Sequence, residues 1–459
     1  MQKQTIKLVA VVFCVLLVNF PVFSGGQTSK PTEPAGASFL DVGKQEPITV
    51  LINESPWYGG FEKLVELYEQ QTGNAVYLDV TPWAGMLEKA RNAVRDAESP
   101  LDILNIDQFV ITELYSGGFL SPLTDIDPSF KFPKEALLMN ETLFWNERTN
   151  WRDKNGKIMS FSPNGNTLSL YYREDLYQQA GLKPPKSWDD VITACKKLHD
   201  PPNLYGVALG SERGGRIAVD FSNMMGGFGA AILKDPANGD FSVVINSPEA
   251  KKALDLYIDL LRNYGPPEFG SLGQGALIQY MLTGKVVHIV SATAAWSNMD
   301  NPEKSEVVDK VNVAALPNPT NSDQCGFLGS WCMAIPQNIP MERKKAALAF
   351  AKWFLTYEAQ YKFAEFGAIP VRSDIYESDL ASQRRFRWFE AYKEQIPTAV
   401  AYMGYPEGSQ VSDVLGLRLN QAIIGELSSA EALNRAAEEI HAIFVKSGKK
   451  TGMLKPLVE

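Results

Sequence analysis

Histidine and cysteine are scarce in this chain, which has three histidines and four cysteines among 459 residues. The histidines are His199, His288 and His441, which lie far apart, and none has the spacing to a cysteine that zinc sites use. No P-loop, no Gly-x-Ser-x-Gly elbow and no His-Glu-x-x-His motif occurs in the sequence. The sequence therefore predicts no metal site and no cofactor, and it lacks the enzyme signatures that these motifs provide.

Positive charge is also in short supply, since 44 Lys and Arg residues stand against 53 Asp and Glu, which gives a net charge of -9. A protein whose main task is to coat nucleic acid needs clustered Lys and Arg to neutralise phosphates. The composition thus predicts no nucleic-acid partner and suits a soluble protein with a neutral or cationic small ligand. Because the chain is longer than the size at which one hydrophobic core stops growing, two lobes are expected.

Long apolar runs are missing except near the start of the chain, where one extends from Leu8 to Val18 between two lysines and a group of small residues. This run is shorter than the ~20 residues that a membrane-spanning helix needs. It predicts a secretory signal peptide over residues 1–24, and Cys14 lies inside the apolar run, where it does not suit a lipid anchor. Residues 25–46 contain Gly, Ser, Thr and Pro without an apolar period and predict a flexible leader.

Two of the cysteines are close in sequence, Cys325 and Cys332 in the segment CGFLGSWC. In an oxidising compartment they could form a disulfide across the neck of a short hairpin. Two buried thiols are an equally good interpretation, and the sequence leaves the choice between them open.

The folded part begins with alternating strands and helices. Three apolar runs predict buried strands, and the two segments between them carry apolar residues at helical spacing. The segments, in order, are a strand at Ile48–Ile52, a helix with Phe61, Leu64, Val65 and Tyr68 on one face that ends at Gly73, a strand at AVYLDV, a helix over Met86–Val94 and a strand at Leu101–Ile106. A βαβαβ unit of this kind needs parallel strands with helical crossovers, so the predicted class is α/β.

Later helices are marked by their first residues as well as by their periodicity. Ser187 and Ser428 each precede an acidic residue by three positions, and Ser247 precedes a proline, which are typical helix starts. The remaining predicted elements are helices over Ser247–Arg262 and Lys344–Phe363 and strands over Lys285–Val290 and Val311–Leu316.

Aromatic and polar side chains follow the predicted strands at their carboxyl ends, where ligands bind in open α/β sheets. A saccharide has apolar C–H faces and a rim of hydroxyls, so its receptor needs aromatic rings together with carboxylate, amide or guanidinium groups. A role in the core is the alternative for each tryptophan taken alone. The candidates are Glu54, Trp57 and Tyr58 after the first strand, Trp83 after the second, and Asp107 and Gln108 after the third.

Several long segments resemble the extracellular solute-binding proteins of ATP-driven (ABC) importers, in particular the maltose- and trehalose-binding branch. The resemblance covers nearly the whole chain after the leader. Its most specific stretch is LSLYYREDLYQQAGLKPPKSWDD, and it also includes SPWYGGFEKLVELYEQQTGNAVYLDV, DILNIDQFVITELYSGGFLSPL, VSATAAWSNM, CGFLGSWCMAIPQNIPMERKKAALAFAKWFL and GAIPVRSDIY.

The resemblance implies a two-lobed periplasmic-binding-protein fold of type II, in which each lobe is a mostly parallel sheet flanked by helices. It implies an N-terminal lobe of residues 47–162 and 317–366 and a C-terminal lobe of residues 163–316 and 367–459. Three hinge crossovers are then expected near Pro163, Leu316 and Ala368.

The resemblance also implies ligand-binding residues on both lobes. The chain departs from maltose-binding members at Ala294 and Ala295, where aromatic residues are frequent, and at Asn166, where an acidic residue is common. In addition to the strand-end residues above other than Trp83, the implied set comprises Gly329 and Trp331 on the first lobe, and Asn164, Asn166, Arg216, Trp296 and Arg372 on the second.

The function implied is that of the substrate-binding component of an ABC importer, which closes about its hinge on a saccharide, with a di- or oligosaccharide expected. It implies a monomer that is secreted across the inner membrane into the periplasm and docks on the membrane permease subunits. The alternatives are a secreted carbohydrate-active enzyme, which would need two acids facing one cleft, and a binding protein that feeds a chemosensor. A polyamine, phosphate-ester or peptide ligand also stays open.

Overall fold

The computed structural model describes residues 39–329 and 331–458, except for the side chains at 83, 84 and 109. The predicted signal peptide and most of the predicted leader lie outside the described residues. The strands are β1 (Ile48–Asn53), β2 (Val76–Thr81), β3 (Ile103–Asp107), β4 (Leu120–Ser121), β5 (Phe144–Trp145), β6 (Lys157–Ile158), β7 (Ser160–Phe161), β8 (Leu168–Arg173), β9 (Tyr205–Ala208), β10 (Leu233–Asp235), β11 (Asp240–Val243), β12 (Val286–Ala292), β13 (Val311–Ala314) and β14 (Trp331–Pro336).

The α-helices are interspersed with the strands over the first three quarters of the chain, and those near its end follow one another without strands between them. They are α1 (Tyr58–Thr72), α2 (Trp83–Arg95), α3 (Gln108–Ser116), α4 (Leu123–Ile126), α5 (Glu174–Gln179), α6 (Trp188–Leu198), α7 (Gly215–Gly227), α8 (Pro248–Tyr264), α9 (Gln274–Leu282), α10 (Trp296–Met299), α11 (Met341–Phe354), α12 (Tyr357–Glu365), α13 (Phe389–Gln395), α14 (Gly408–Ile424) and α15 (Ser429–Lys446).

The first sheet has the strand order β2-β1-β3-β14-β4, and β7 also pairs with β14. β1 is parallel to β2 and β3, as the predicted βαβαβ unit requires, whereas β14 is antiparallel to β3, β4 and β7. One face of this sheet packs against α2 and α3 in a core that contains Leu51, Leu104 and Cys332. On the other face the aromatic rings of Phe61 and Phe350 meet edge to face, 6.2 Å apart, and join α1 to α11.

The second sheet has the order β13-β8-β12-β9. β12 is parallel to β9, while β8 is antiparallel to both of its neighbours, β12 and β13. Helices α6, α8, α9 and α13 pack on this sheet. The fold is therefore the predicted two-lobed α/β arrangement, with one strand in each sheet that runs against the others.

We call the first sheet with α1–α4, α11 and α12 the first lobe, and the second sheet with α5–α10 and α13–α15 the second lobe. The chain passes between them three times, after β7, after β13 and after α12. The predicted crossover positions near Pro163, Leu316 and Ala368 fall within these three connections. The exact residue boundaries of the lobes remain a prediction.

The last residues of the predicted flexible leader lie against the first lobe. The ring of Phe39 stacks on that of Trp353, with centroids 5.5 Å apart. Asn74 accepts a hydrogen bond from the backbone N–H of Gln45 and donates one to the carbonyl of Gly43. The chain from Phe39 onward is thus fixed to the lobe by ring stacking and hydrogen bonds.

The predicted helix starts are confirmed. Ser187 and Ser428 each form a complete capping box, and the Ser247 hydroxyl accepts from the N–H of Ala250 at the start of α8. The single helix predicted over Lys344–Phe363 is wrong, because the chain breaks after Phe354 and the Thr356 side chain caps a new helix, α12. The apolar spacing of the sequence continues across this break, which explains why the sequence predicts one helix there.

None of the helices in the described parts of the chain combines the length and the apolar character needed to cross a membrane.

Candidate functional site

Two of the predicted site residues meet at the edge of the first sheet. Asp107 is the last residue of β3 and Trp331 is the first residue of β14, and the two are paired across the antiparallel ladder. An Asp107 carboxylate oxygen accepts a hydrogen bond from the N–H of Val110, 3.3 Å away, in the first turn of α3. The strand register therefore holds a carboxylate beside an indole ring, both partly exposed, at one point of this edge.

A cavity of about 160 Å³ lies between this edge and the second lobe. The first lobe contributes a polar part and an apolar part to its lining, and the second lobe contributes the first turns of α7 and α14. The lining residues are Met86, Leu87, Asn105, Ile106, Asp107, Val110 and Trp331 from the first lobe, and Gly215, Ser409, Ser412 and Asp413 from the second. We call this the interlobe cavity.

Two glycines allow both helix starts of the second lobe to reach the interlobe cavity. A Cβ atom on Gly416 in α14 would lie 2.3 Å from the carbonyl oxygen of Gly214, so the two backbones are in direct contact. Gly214 itself has φ 114° and ψ −155°, a conformation that is open essentially only to glycine. This close approach sets α7 against α14 and brings Ser412 beside Gly215.

The residues predicted after the first strand are not among the described residues that line the interlobe cavity. Glu54 is exposed, and the Tyr58 hydroxyl donates a hydrogen bond to Glu62, 2.9 Å away. Trp57 is 2% exposed and meets Phe61 edge to face, so it is a core residue in this structure. Trp83 is the first residue of α2, and its side chain lies outside the described part of the structure.

A second group of predicted residues ties the crossovers together. The Asn166 amide donates to the carbonyl of Gly329 and accepts from the N–H of Ala294, both at 3.2 Å. Asn164 accepts from the N–H of Asn166. The Gln108 amide, which is buried, donates to the carbonyl of Leu328.

The two predicted arginines form ion pairs within the protein. Arg216 lies 2.6 Å from Asp220, which is fully buried, and burial raises the pKa of that carboxyl while the adjacent guanidinium lowers it. Arg372 pairs with Asp374 at 2.6 Å and with Glu135 at 3.3 Å. Neither arginine is among the residues that line the interlobe cavity.

Trp296, the first residue of α10, lines a separate cavity of about 190 Å³ together with residues of the third crossover, Gly367, Ala368 and Ile369. The guanidinium carbon of Arg387 is 4.3 Å from the centroid of its indole ring. The indole N–H donates to the carbonyl of Arg385 at 2.9 Å. One ring face and the only polar atom of this side chain are thus occupied by the protein.

Sequence reasoning missed the four other polar lining residues, Asn105, Ser409, Ser412 and Asp413. For Asn105 a signal existed, since it is the one amide in the otherwise apolar run Ile103–Ile106. The other three lie in the first turns of α14, and their position depends on the contact of that helix with α7, which no local pattern predicts.

The possible disulfide between Cys325 and Cys332 is not formed, and Cys195, Cys325 and Cys332 are free and buried. The Cys325 thiol lies 3.7 Å from the carbonyl of Pro317 on the second crossover, whereas Cys332 is in the core beneath α2 and α3. In the described part of the chain, no three His, Cys, Asp or Glu side chains are grouped so that they could hold a metal ion.

The comparisons with known proteins agree with this architecture. A mannitol-binding protein of Pseudomonas aeruginosa is 30% identical over 300 residues, which cover 61% of this chain and 67% of the relative. A solute-binding protein of an ABC transporter from Agrobacterium radiobacter, solved with ribitol, superposes with a TM-score of 0.74 at 22% identity, covering 88% of this chain and 100% of the other. Maltose-bound MalE3 of T. maritima superposes with a TM-score of 0.73 at 22% identity, covering 86% of this chain and 99% of the other.

The family match extends over both lobes. Residues 53–361, which include the whole of both sheets except the first five residues of β1, match the family described as bacterial extracellular solute-binding protein. The chain therefore belongs to the bacterial extracellular solute-binding proteins.

Proposed function

We propose that this chain is the substrate-binding component of an ABC importer and that it holds a polyhydroxylated ligand, a sugar or a polyol, between its lobes. The observation that carries the proposal is the interlobe cavity, in which Asp107 and Trp331 of one lobe face Ser412 and Asp413 of the other. Carboxylates accept strong hydrogen bonds from hydroxyl groups, and an indole face suits the C–H face of a sugar.

The interlobe cavity suits a single sugar unit or a linear polyol better than the di- or oligosaccharide expected from the sequence. The interlobe cavity, at about 160 Å³, is smaller than the roughly 300–1,000 Å³ of pockets for drug-sized ligands. The names of the relatives support this choice in part, since one is a mannitol-binding protein and one neighbour was solved with ribitol, while another was solved with maltose.

The proposed mechanism is hinge closure without chemistry. The ligand contacts both lobes, so it binds the closed arrangement better than the open one and shifts the population toward closure by that difference in affinity. The protein is then a secreted, periplasmic monomer whose closed form docks on the permease subunits. Gln108, Asn164 and Asn166, whose side chains form hydrogen bonds at or near the crossovers, act by setting the geometry of closure.

The test is a thermal-shift and calorimetric screen of D-mannitol, ribitol, maltose, trehalose and spermidine. We expect a polyol or sugar to bind, and Asp107→Asn to weaken it by roughly 10- to 100-fold, the value of a hydrogen bond to a charged group. Asp189→Asn, on the exposed face of α6, is the matched control and is expected to bind normally. A preference for spermidine, equal affinity in Asp107→Asn, or conversion of the ligand to a product would refute the proposal.

A further inference from the structure

Asn105 carries a buried polar atom that has no hydrogen-bond partner among the residues that the structure describes. The residue is fully buried in β3, and its amide nitrogen donates a hydrogen bond to the side-chain oxygen of Asn53 in β1, 3.0 Å away. Among the described residues, nothing donates a hydrogen bond to the Asn105 oxygen Oδ1. A buried acceptor left unpaired carries a desolvation penalty, so a site that retains one gains from a ligand that pairs with it.

The position of Asn105 links this atom to the interlobe cavity. Residues at alternate positions in a strand project from the same face, so Asn105 and Asp107 lie on one face of β3. Both residues line the cavity. Asn105 is therefore the next polar side chain behind Asp107 along the strand, deeper in the first lobe.

In this structure the nitrogen end of the Asn105 amide is paired with Asn53 and the oxygen end is not. Because the Asn53 oxygen can only accept, it holds the amide nitrogen of Asn105 and leaves the carbonyl oxygen unpaired. Rotation of the Asn105 amide by half a turn would bring two carbonyl oxygens together. The atom of Asn105 that lacks a partner is thus an acceptor, which pairs with a hydroxyl and gains nothing from an ether, a carboxylate or a deoxy position.

We propose that Asn105 is a specificity-determining residue, whose Oδ1 accepts a hydrogen bond from one ligand hydroxyl, and that Asn53 is its positioning residue. The inference rests on the proposed function and deepens it. The chain requires two hydroxyl groups on one ligand, one for Asp107 and one for Asn105, and it rejects the analogue that lacks the second. Discrimination of this kind is strong because the deoxy analogue leaves the buried oxygen unpaired.

The experiment compares affinities by titration calorimetry for D-mannitol, ribitol and maltose, and then for the monodeoxy derivatives of whichever binds most tightly. We expect the native protein to reject one monodeoxy derivative by roughly 5- to 150-fold. In Asn105→Leu, which keeps the shape but has no acceptor, that ratio is expected to fall to near one. Asn53→Leu is expected to give an intermediate ratio, because the amide is no longer oriented.

The matched control is Asn246→Leu, since Asn246 is also buried with an unpaired Oδ1 but contacts Asn434 and Lys455, which do not line the cavity. Its monodeoxy ratio is expected to stay at the native value, and denaturation midpoints show that each variant is folded. An unchanged ratio in Asn105→Leu overturns this inference and leaves the proposed function intact. If neither these three ligands nor trehalose binds, the proposed function fails and the inference fails with it.

Discussion

The indole ring of Trp151 stacks on the ring of Tyr405, with centroids 6.3 Å apart and planes inclined by 18°. Trp151 lies between β5 and β6, and Tyr405 lies just before α14 of the second lobe. The neighbouring Arg152 donates hydrogen bonds to the carbonyls of Ala401 and Gly404, at 2.9 and 3.2 Å, and burial lowers the pKa of its guanidinium to about 10. This contact joins the segment before the first crossover to the second lobe.

Replacement of Trp151 by alanine is expected to weaken ligand binding about threefold or more, although Trp151 does not line the interlobe cavity. The stack exists in the arrangement in which both lobes line that cavity, so its loss lowers the population of the binding-competent form. Trp188→Ala, in the core of the second lobe, is the control for a comparable loss of packing. Equal affinities in the two variants, measured by calorimetry, would show that the stack stabilises the fold without affecting closure.

Gly416→Ala is expected to destabilise the protein by about 1–3 kcal/mol, because the new methyl group would lie 2.3 Å from the carbonyl oxygen of Gly214. It should also reduce ligand affinity, since α7 and α14 both line the interlobe cavity. Gly59→Ala in α1 meets no atom within 4 Å and is expected to be neutral or to gain about 0.5–1 kcal/mol. Urea unfolding measures the difference in stability between the two variants. Equal unfolding midpoints would contradict the close contact of Gly416 with Gly214.

His288 predicts a specific dependence of stability on pH. Its Nδ1–H donates to the carbonyl of Gly206, its Nε2 pairs with the Tyr177 hydroxyl, and burial lowers its pKa from 6.5 to about 4. Because the unfolded chain takes up the proton more readily, this group's contribution is fully present above pH 6.5. It is lost as the pH falls toward 4, by up to about 3 kcal/mol.

The measurement is the free energy of unfolding of the native protein and of His288→Gln between pH 4 and pH 8. The difference between the two is expected to vary between pH 6.5 and pH 4 and to be constant above. A difference that stays constant over the whole range would mean that His288 does not titrate on unfolding.

The three described cysteines are expected to be unreactive in the folded protein. Burial raises the pKa of the thiols of Cys195 and Cys325 to about 12 and that of Cys332 to about 11, so little thiolate exists near neutral pH. We expect Ellman's reagent to label these thiols only after the protein is denatured. Because the thiols are free, no reductant is needed for this labelling. A peptide with Cys325 joined to Cys332, found by mass spectrometry, would contradict this expectation.

The order of elements in the first lobe could be predicted from local patterns because strands β1–β3 are apolar runs and α1 ends at a glycine in the left-handed conformation, Gly73. The pairing of β3 with β14 could not be predicted, because β14 comes from a distant part of the chain and its position depends on the whole lobe. The break between α11 and α12 was missed because only Thr356, a helix-capping residue, marks it.

For the candidate site, the rule that ligands bind beyond strand ends led to Asp107, and the family resemblance led to Trp331. The same rule also selected Trp57, which the packing of α1 turns into the core. Which side of a strand-end residue faces the other lobe depends on tertiary packing, and sequence periodicity carries little information about it.

The insertion of β14 beside β3 has a consequence for how the polypeptide matures. During translation, the ribosome releases β1 to β3 and then the greater part of the second lobe before Trp331–Pro336 emerge. Until then the nascent chain exposes one edge of β3, together with the apolar surface that Met333 and Ile335 will later cover. Folding of the first lobe is therefore a late, non-local event. It leaves a long interval in which a chaperone can bind the unfinished chain and keep it extended.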